Sequence, residues 1–386
     1  MEGSNEPEMY VSDPVYTKDG VKGYTSYTLN GSRVPEPLNR RYRDFDALRK
    51  KLVEGWPGIF IPNIPHKKKV GNKGKRIIGM RVEMINRFLK KLSKIEYLFN
   101  SEEMDLFLQN TSNVSKTLDG LKVENYEDLL KKYSSAFSDF DENFDIKAGK
   151  EDQDKFLKKL NEIYPKIKNF RNIVLHAKER YKSEQENYMA VINMLSLYEK
   201  ETVNNFVNSD ENKLVFFNMK NIELCQNISN AQEQVINPYD RLYDAITEDY
   251  LNTEAMKEAL ETLKDLQETY NKLNKNFTNT NLHLSELQAG KSSVKTIFKN
   301  KEKEINKLST AKETKEKDIN DLGQIIKIAT FNMQNTIENF KVVSLDSYYA
   351  ELSRLEGDTE KNATIFDDLW ETVVKDKNIS EFNSTF

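Results

Sequence analysis

The chain has little of what would stabilise a secreted domain or anchor it in a bilayer. It has a single cysteine, Cys225, in 386 residues, so it cannot form an internal disulfide, which suits a reducing compartment. No run reaches the roughly 18 apolar residues that a transmembrane helix needs, and the first ten residues lack the basic and apolar segments of a signal peptide. We therefore expect a cytoplasmic protein whose membrane contact, if any, is peripheral.

Histidine is also scarce, which argues against several kinds of catalysis and metal binding. His66, His176 and His283 have no partners at metal-ligand spacing, and no nucleophile lies near a histidine and an acid. The sequence GKS at residues 290–292 imitates the end of a nucleotide-binding loop, but that motif needs a glycine where this chain has Ser285. We predict that the protein is not an enzyme and uses no metal or cofactor.

Proline and basic charge are unevenly distributed and divide the chain into a head and a body. Seven of the nine prolines precede residue 66. Residues 1–110 hold 20 Lys and Arg against 14 Asp and Glu, whereas the other 276 residues hold 38 against 48. A head of net charge +6 thus precedes a body of net charge −10. Positive charge concentrated in one module favours anionic partners such as phosphorylated lipid or nucleic acid.

The head has the pattern of a small sheet with a few helices. Tyr10–Val15 and Tyr24–Leu29 are predicted strands separated by turn residues. Apolar spacing predicts one helix from Arg43 to Val53 and a second from about Met80 to Leu92. We therefore predict an α+β head.

The body follows a heptad pattern instead. Apolar residues recur at alternating spacings of four and three from Phe156 through Val174 to Tyr181, and the phase continues to Tyr198, which is typical of coiled-coil packing. Similar patterns later in the chain predict two more long helices. Pro165 is expected to kink the first helix and Pro238 the second.

Two turn clusters predict how these helices are connected. Residues 208–212 and 290–293 are expected to reverse the chain, and the third helix is expected to end near Trp370. A three-helix coil so rich in large apolar residues leaves one face uncovered. We therefore predict an obligate homodimer.

Two basic segments of the head carry the candidate binding residues. The motif RRYRDF at residues 40–45 follows a strand and opens a helix, so its side chains can gather at one edge of the sheet. A guanidinium can bind phosphate oxygens with two hydrogen bonds, and a tyrosine ring can pack against a sugar-like ring. Pro62–Pro65 leads into six basic residues between positions 66 and 76. Nucleic acid is disfavoured here because no aromatic residues are interleaved for base stacking.

In combination, these features resemble the PX domain of sorting nexins. Two matching elements are the RRYRDF motif at residues 40–45 and the Pro-x-x-Pro loop at 62–65, which Lys67 follows two residues later. The other two are Arg81, which precedes the apolar positions of the second helix, and a closing helix at 99–108. The resemblance covers about residues 8–110. It implies binding of phosphatidylinositol 3-phosphate, with Arg41 on the 3-phosphate, Tyr42 under the inositol ring, Lys67 on the 1-phosphate and Arg81 on the 4- and 5-hydroxyls.

A PX domain followed by three long helices resembles the sorting nexins that carry a BAR domain, here residues 150–378. The resemblance implies a mainly α chain, with a small α+β PX domain before a three-helix antiparallel coiled-coil BAR domain that dimerises. The basic concave face of such a dimer lies on bent membrane. The expected membrane contacts are Lys68, Lys69, Lys73 and Lys75 in the head and Lys291, Lys295 and Lys299 at the tip of the coil. Alternatively, the tip lysines only solubilise a helix end.

The implied function is that of a peripheral protein of endosomal membranes. It would bind phosphatidylinositol 3-phosphate on an anionic membrane and sense or induce curvature as a dimer during endosomal sorting and membrane trafficking. The alternative is a coiled-coil tether or scaffold localised by its lipid-binding head. A homodimer is expected, while heterodimers and cargo or coat proteins stay open as further partners. Residues 111–149 are predicted to be a linker with an amphipathic helix, which either packs between the modules or enters the membrane interface.

Overall fold

The computed structural model describes residues 9–19, 22–64, 75–109, 113–198, 201–202, 226, 229–231, 233–289 and 301–375. Within these ranges the chain forms three strands followed by nine helices. It divides into two units. The first unit comprises the chain up to Tyr164 together with Leu251–Phe340, and the second comprises Pro165–Tyr250 and the chain from Lys341 onward.

The first unit begins with an antiparallel meander of three strands. They are β1 (Met9–Asp19), β2 (Lys22–Gly31) and β3 (Val34–Arg41), in that order across the sheet. Val11 pairs with Leu29 and Leu29 with Leu38, and all three side chains are buried because paired residues share one face. Both strands for which the sequence predicted bounds are present. The third, β3, contains Pro35 and Pro37, which an edge strand tolerates because proline donates no ladder hydrogen bond.

Five helices pack on and beside this sheet. They are α1 (Tyr42–Gly55), α2 (Lys75–Ser93), α3 (Glu96–Phe99), α4 (Glu102–Leu108) and α5 (Val114–Asp119). The predicted inward positions are buried, among them Phe45 and Leu52 on α1 and Phe88 on α2. The closing helix predicted over 99–108 starts later, at Glu102, because the Ser101 hydroxyl caps it by accepting a hydrogen bond from the backbone of Met104.

The predicted linker contains α6 (Tyr126–Ala136), whose apolar face is covered by the head. Tyr133 is fully buried, with its ring centroid 5.6 Å from that of Trp56, and its hydroxyl donates to the carbonyl oxygen of Pro57 at 2.6 Å. Tyr97 and Phe137 complete this cluster of four aromatic rings. The structure therefore agrees with packing inside the protein rather than with insertion into a membrane, since the face that insertion would need is already buried.

Three long helices follow, α7 (Ile146–Tyr198), α8 (Tyr239–Gln288) and α9 (Lys301–Lys375). In the second unit, Lys178 lies over the ring of Tyr243 and Arg171 over that of Tyr250. Rising numbers on α7 thus meet falling numbers on α8, so the two helices are antiparallel. In the first unit, Lys315 of α9 donates to the Thr280 hydroxyl of α8 at 2.8 Å. The prediction of a mainly α chain, with a small α+β head followed by long antiparallel helices, is confirmed.

The two body prolines occupy different positions. Pro165 lies inside α7, as predicted, and marks the boundary between the two units on that helix. The predicted kink of a continuous helix at Pro238 is wrong, because residues 235–237 are not helical and α8 starts at Tyr239. Proline suits a helix start, where its missing N–H is not needed. Asn237 reinforces this start by accepting a hydrogen bond from the backbone of Tyr239 at 3.1 Å.

The heptad positions of α7 are only partly covered by the described chain. Leu160 and Val174 are buried, whereas Ile163, Phe170 and Leu195 are exposed. The turn clusters predicted at 208–212 and 290–293 lie outside the described residues. Among the residues that are described, no helix is both long enough and apolar enough to cross a bilayer.

Candidate functional site

The motif at residues 40–45 lies where β3 ends and α1 begins. The carboxylate of Asp44 accepts a hydrogen bond from the backbone N–H of Arg41 at 2.8 Å and another from the Ser115 hydroxyl at 2.6 Å. Phe45, the next residue, is fully buried in the head core. The first turn of α1 is therefore held at both its backbone and its core side, which fixes the positions of the basic residues around it.

Arg40 is a structural residue rather than part of an open site. Its side chain is only 2% exposed, and its guanidinium donates to the carbonyl oxygens of Phe107 and Gln109 at 2.6–3.1 Å. These bonds tie the end of α4 to β3. Burial lowers the pKa of Arg40, although an arginine remains charged under any ordinary condition.

Arg41 lies on the other side of the strand, over an aromatic ring. Its guanidinium carbon is 3.3 Å from the centroid of the Tyr24 ring on β2. Arg41 pairs with Ser26 across the sheet, and Tyr24 is the diagonal neighbour two residues away on the same face. The sequence analysis missed Tyr24, although the strand register, once known, would have located it.

Arg81 reaches the same region from α2. Its guanidinium carbon is 5.0 Å from the centroid of the Tyr42 ring, and both side chains are 7% exposed. Burial raises the pKa of Tyr42, and the carboxylate of Asp46 raises it further. Burial also raises the pKa of Tyr27, an effect that the Arg81 guanidinium partly opposes. Arg81 is thus held between two neutral tyrosines.

Of the four predicted lipid-binding residues, Arg41 and Tyr42 are consecutive where β3 ends and α1 begins, and Arg81 of α2 lies against the Tyr42 ring. Lys67 lies outside the described residues. Of the predicted membrane-contact lysines, Lys75 is the first residue of α2. The others, Lys68, Lys69, Lys73, Lys291, Lys295 and Lys299, also lie outside the described residues.

A cavity of about 570 Å³ lies beside Tyr42 within the first unit. Its walls come from α1, from residues 63–64, from the part of α7 before Pro165 and from α8. Its charged lining residues are Asp46, Arg49, Lys50, Glu254, Lys257, Glu258 and Glu261. The sequence analysis did not predict this cavity, because its two sides are separated by about two hundred residues and share no local motif.

Residues 57–64, which we call the proline loop, contribute Asn63 and Ile64 to one edge of this cavity. Gly58 has a φ of +84°, a conformation that L side chains rarely adopt, and its N–H donates to the Thr262 hydroxyl of α8 at 2.9 Å. A Cβ atom at this position would lie 3.1 Å from a methyl carbon of Leu263. The glycine therefore allows the loop backbone to lie directly against α8.

Comparison with known proteins assigns the head to a class. Residues 32–111 match the family model of the PX domain, a span that runs from the turn before β3 to just beyond α4 and includes the junction of Arg41, Tyr42 and Arg81. The head is therefore a PX domain.

The curated relatives are sorting nexins and a related sorting protein. Sorting nexin 1 of Arabidopsis thaliana is 35% identical over 117 residues, 28% of this chain and 29% of that protein. Human sorting nexin-30 is 33% identical over 109 residues, 25% of each chain. The vacuolar protein sorting-associated protein vps5 of Schizosaccharomyces pombe is 32% identical over 108 residues, 26% of this chain and 19% of that one. The chain thus matches less than a third of the length of each of these relatives.

Among solved structures, the cryo-EM structure of the SNX-BAR Mvp1 tetramer matches 95% of this chain and 100% of that chain, with a TM-score of 0.48 and 13% identity. The PX domain and the sorting nexin relatives confirm the predicted resemblance to sorting nexins over the head, and the three long helices that follow agree with the predicted mainly α body.

Proposed function

We propose that this chain is a peripheral membrane protein that binds phosphatidylinositol 3-phosphate through Arg41, Tyr42, Lys67 and Arg81. The observation that carries the proposal is the contact of Arg81 on α2 with Tyr42, the residue that follows Arg41 where β3 joins α1. Two guanidinium groups supply fixed positive charge and paired donors, which is what phosphate and hydroxyl oxygens require. The chain acts as a binding protein, and no chemical step is part of the proposal.

The lipid site is tested by flotation of the full chain with liposomes that contain phosphatidylinositol 3-phosphate. Arg41→Gln removes the half-buried guanidinium, and we expect it to weaken binding about tenfold or more, because charge-assisted hydrogen bonds to phosphate are lost. Arg43→Gln is the matched control, since it removes the same charge from an exposed neighbour. Equal binding by the parent and the Arg41 variant would defeat the assignment. Liposomes with other phosphoinositides in the same assay would measure headgroup preference.

We further propose that a second copy of the chain covers an apolar stripe in the second unit. On α9, Val342, Leu345, Tyr349 and Leu352 are exposed at spacings of three, four and three, which places them on one helix face. On α7, Val191, Leu195 and Tyr198 are exposed at spacings of four and three. Such stripes are typical of surfaces that a partner helix buries. This supports a homodimer and leaves heterodimers open.

We assign the dimer to endosomal sorting and membrane trafficking, with curvature sensing or induction by a BAR coil. The similarity to sorting nexins and to a vacuolar protein sorting-associated protein supports the trafficking role. The competing function is a tether or scaffold that the PX domain merely localises. Electron microscopy of liposomes incubated with the protein separates the two, because only a curved coil produces tubules. Smooth, spherical liposomes at saturating protein would favour the tether.

A further inference from the structure

The proline loop is fastened to α8 of the coil as well as to the head. Besides the bond from Gly58 to Thr262, the Asn63 side-chain amide donates to one carboxylate oxygen of Glu254 at 2.6 Å. The Asn63 carbonyl oxygen in turn accepts the backbone N–H of Ile64 at 2.9 Å. Asn63 therefore links the loop backbone to a carboxylate of the coil.

Glu254 is itself held on its other side. Its second carboxylate oxygen accepts the hydroxyl of Tyr164 at 3.0 Å, and the Tyr164 ring lies 4.6 Å from the ammonium of Lys257. The Glu254 carboxylate that accepts the Asn63 hydrogen bond is therefore also held by α7, independently of the loop. A preorganised acceptor costs little ordering entropy when the hydrogen bond forms.

Arg49 makes a second link between the same elements. From α1, its Nε donates to the carbonyl oxygen of Pro62 at 3.0 Å, and its terminal nitrogen forms an ion pair with Glu258. The Arg49 side chain is only 12% exposed. Because one guanidinium serves both partners, the Glu258 carboxylate determines where Arg49 holds the loop.

We propose, on the basis of the lipid binding proposed above, that Glu254 and Glu258 are positioning residues for the phosphoinositide site. They hold the proline loop at the edge of the cavity whose wall includes Tyr42, so the coil sets the affinity of the head for its headgroup. Without these two carboxylates, the lipid would have to order the loop when it binds. The conformational entropy lost in ordering the loop would then weaken the affinity for the lipid.

The sign of the effect separates this role from simple electrostatics. Neutralising a carboxylate near an anionic ligand tightens binding when only Coulomb repulsion matters. A positioning role predicts weaker binding instead. Glu261 gives a matched control, because it lines the same cavity but, within the described part of the chain, makes no hydrogen bond to the proline loop.

The test uses the full chain and a soluble, short-chain phosphatidylinositol 3-phosphate, with binding measured by calorimetry well below the unfolding temperature of every variant. A soluble lipid removes any contribution from coil contacts with a membrane. We expect Glu254→Gln and Glu258→Gln to weaken binding roughly three- to tenfold, which is the size of one charge-assisted hydrogen bond made neutral. Glu261→Gln should bind as tightly as the parent or more tightly.

Asn63→Ala provides the same test from the head, since it removes the donor and leaves the charge of the coil unchanged. It should weaken binding to a similar degree even if a coil variant fails to fold. Binding by Glu254→Gln, Glu258→Gln and Asn63→Ala that matches or exceeds that of the parent would overturn the positioning role and leave the lipid site intact. A parent that binds no soluble lipid would instead overturn the proposed function itself.

Discussion

Arg40 and Arg41 are adjacent in the chain, but a strand directs successive side chains to opposite faces. Arg40 is buried against the carbonyl oxygens of Phe107 and Gln109, while Arg41 remains half-buried over Tyr24. The first satisfies backbone acceptors at the end of α4, and the second keeps its charge available to a ligand. The structure therefore gives Arg40 a role in stability, and the proposed function gives the neighbouring Arg41 a role in binding.

At the residue scale, we expect Arg40→Gln to lower the free energy of unfolding by about 2–3 kcal/mol, because buried carbonyl oxygens lose their charged donor. Urea unfolding followed by tryptophan fluorescence measures this, with the exposed Arg43→Gln as the control. If both variants unfold at the same urea concentration, Arg40 does not have the structural role assigned to it.

The sequence could predict which residues of this motif are candidates for binding, but not which of its residues have a structural role. Basic and aromatic residue types, together with the family resemblance, pointed to Arg41, Tyr42 and Arg81, of which Tyr42 and Arg81 are in contact. Arg40 could not be recognised as structural, because its partners lie almost seventy residues away on α4. Tyr24 was missed for a similar reason, since its position beside Arg41 depends on the strand register.

At the scale of elements, α6 belongs to the head core. The aromatic cluster of Trp56, Tyr97, Tyr133 and Phe137 joins the end of α1 to α3 and α6, and Lys132 lies 4.5 Å above the Trp56 ring while pairing with the buried Glu103. An amphipathic pattern predicted this helix correctly. It could not say what covers the apolar face, because a membrane and a protein core select the same side chains.

We expect Tyr133→Ala to destabilise the protein by about 3–5 kcal/mol, as large-to-small changes of buried aromatic residues do. Thermal unfolding should show the loss, and Ser135→Ala, at an exposed position of the same helix, should show almost none. A Tyr133 variant that is as stable as the parent but binds liposomes less well would instead indicate a membrane-inserting helix.

The positions where the long helices start could not be predicted from the heptad pattern alone. A proline within a heptad is compatible with either a kinked helix or the start of a new one, and the sequence alone does not separate the two outcomes. Pro165 remains inside α7, whereas Pro238 precedes α8. The difference at Pro238 comes from Asn237, which caps the new helix and also donates to the carbonyl oxygen of Lys178 at 2.9 Å.

At the scale of the whole molecule, we expect the apolar stripe of the second unit to determine the oligomeric state. Val342→Glu places a charge on a surface that we expect a second copy to bury, where an unpaired charge is strongly unfavourable. We expect this variant to sediment at 45.0 kDa and the parent at twice that mass. Val123→Glu is the control, because Val123 is 90% exposed and lies outside the stripe. A folded parent monomer at micromolar concentration would contradict the dimer.

Dimerisation should also govern how the PX domains bind a surface. Two weak lipid sites in one particle bind a membrane far more tightly than one, because the second site binds at high effective concentration. We therefore expect Val342→Glu to reduce liposome flotation about tenfold or more at low lipid density, while its affinity for soluble phosphatidylinositol 3-phosphate stays at the parental value. A monomeric variant that floats as well as the parent would mean that one head suffices and that the coil acts only as a tether.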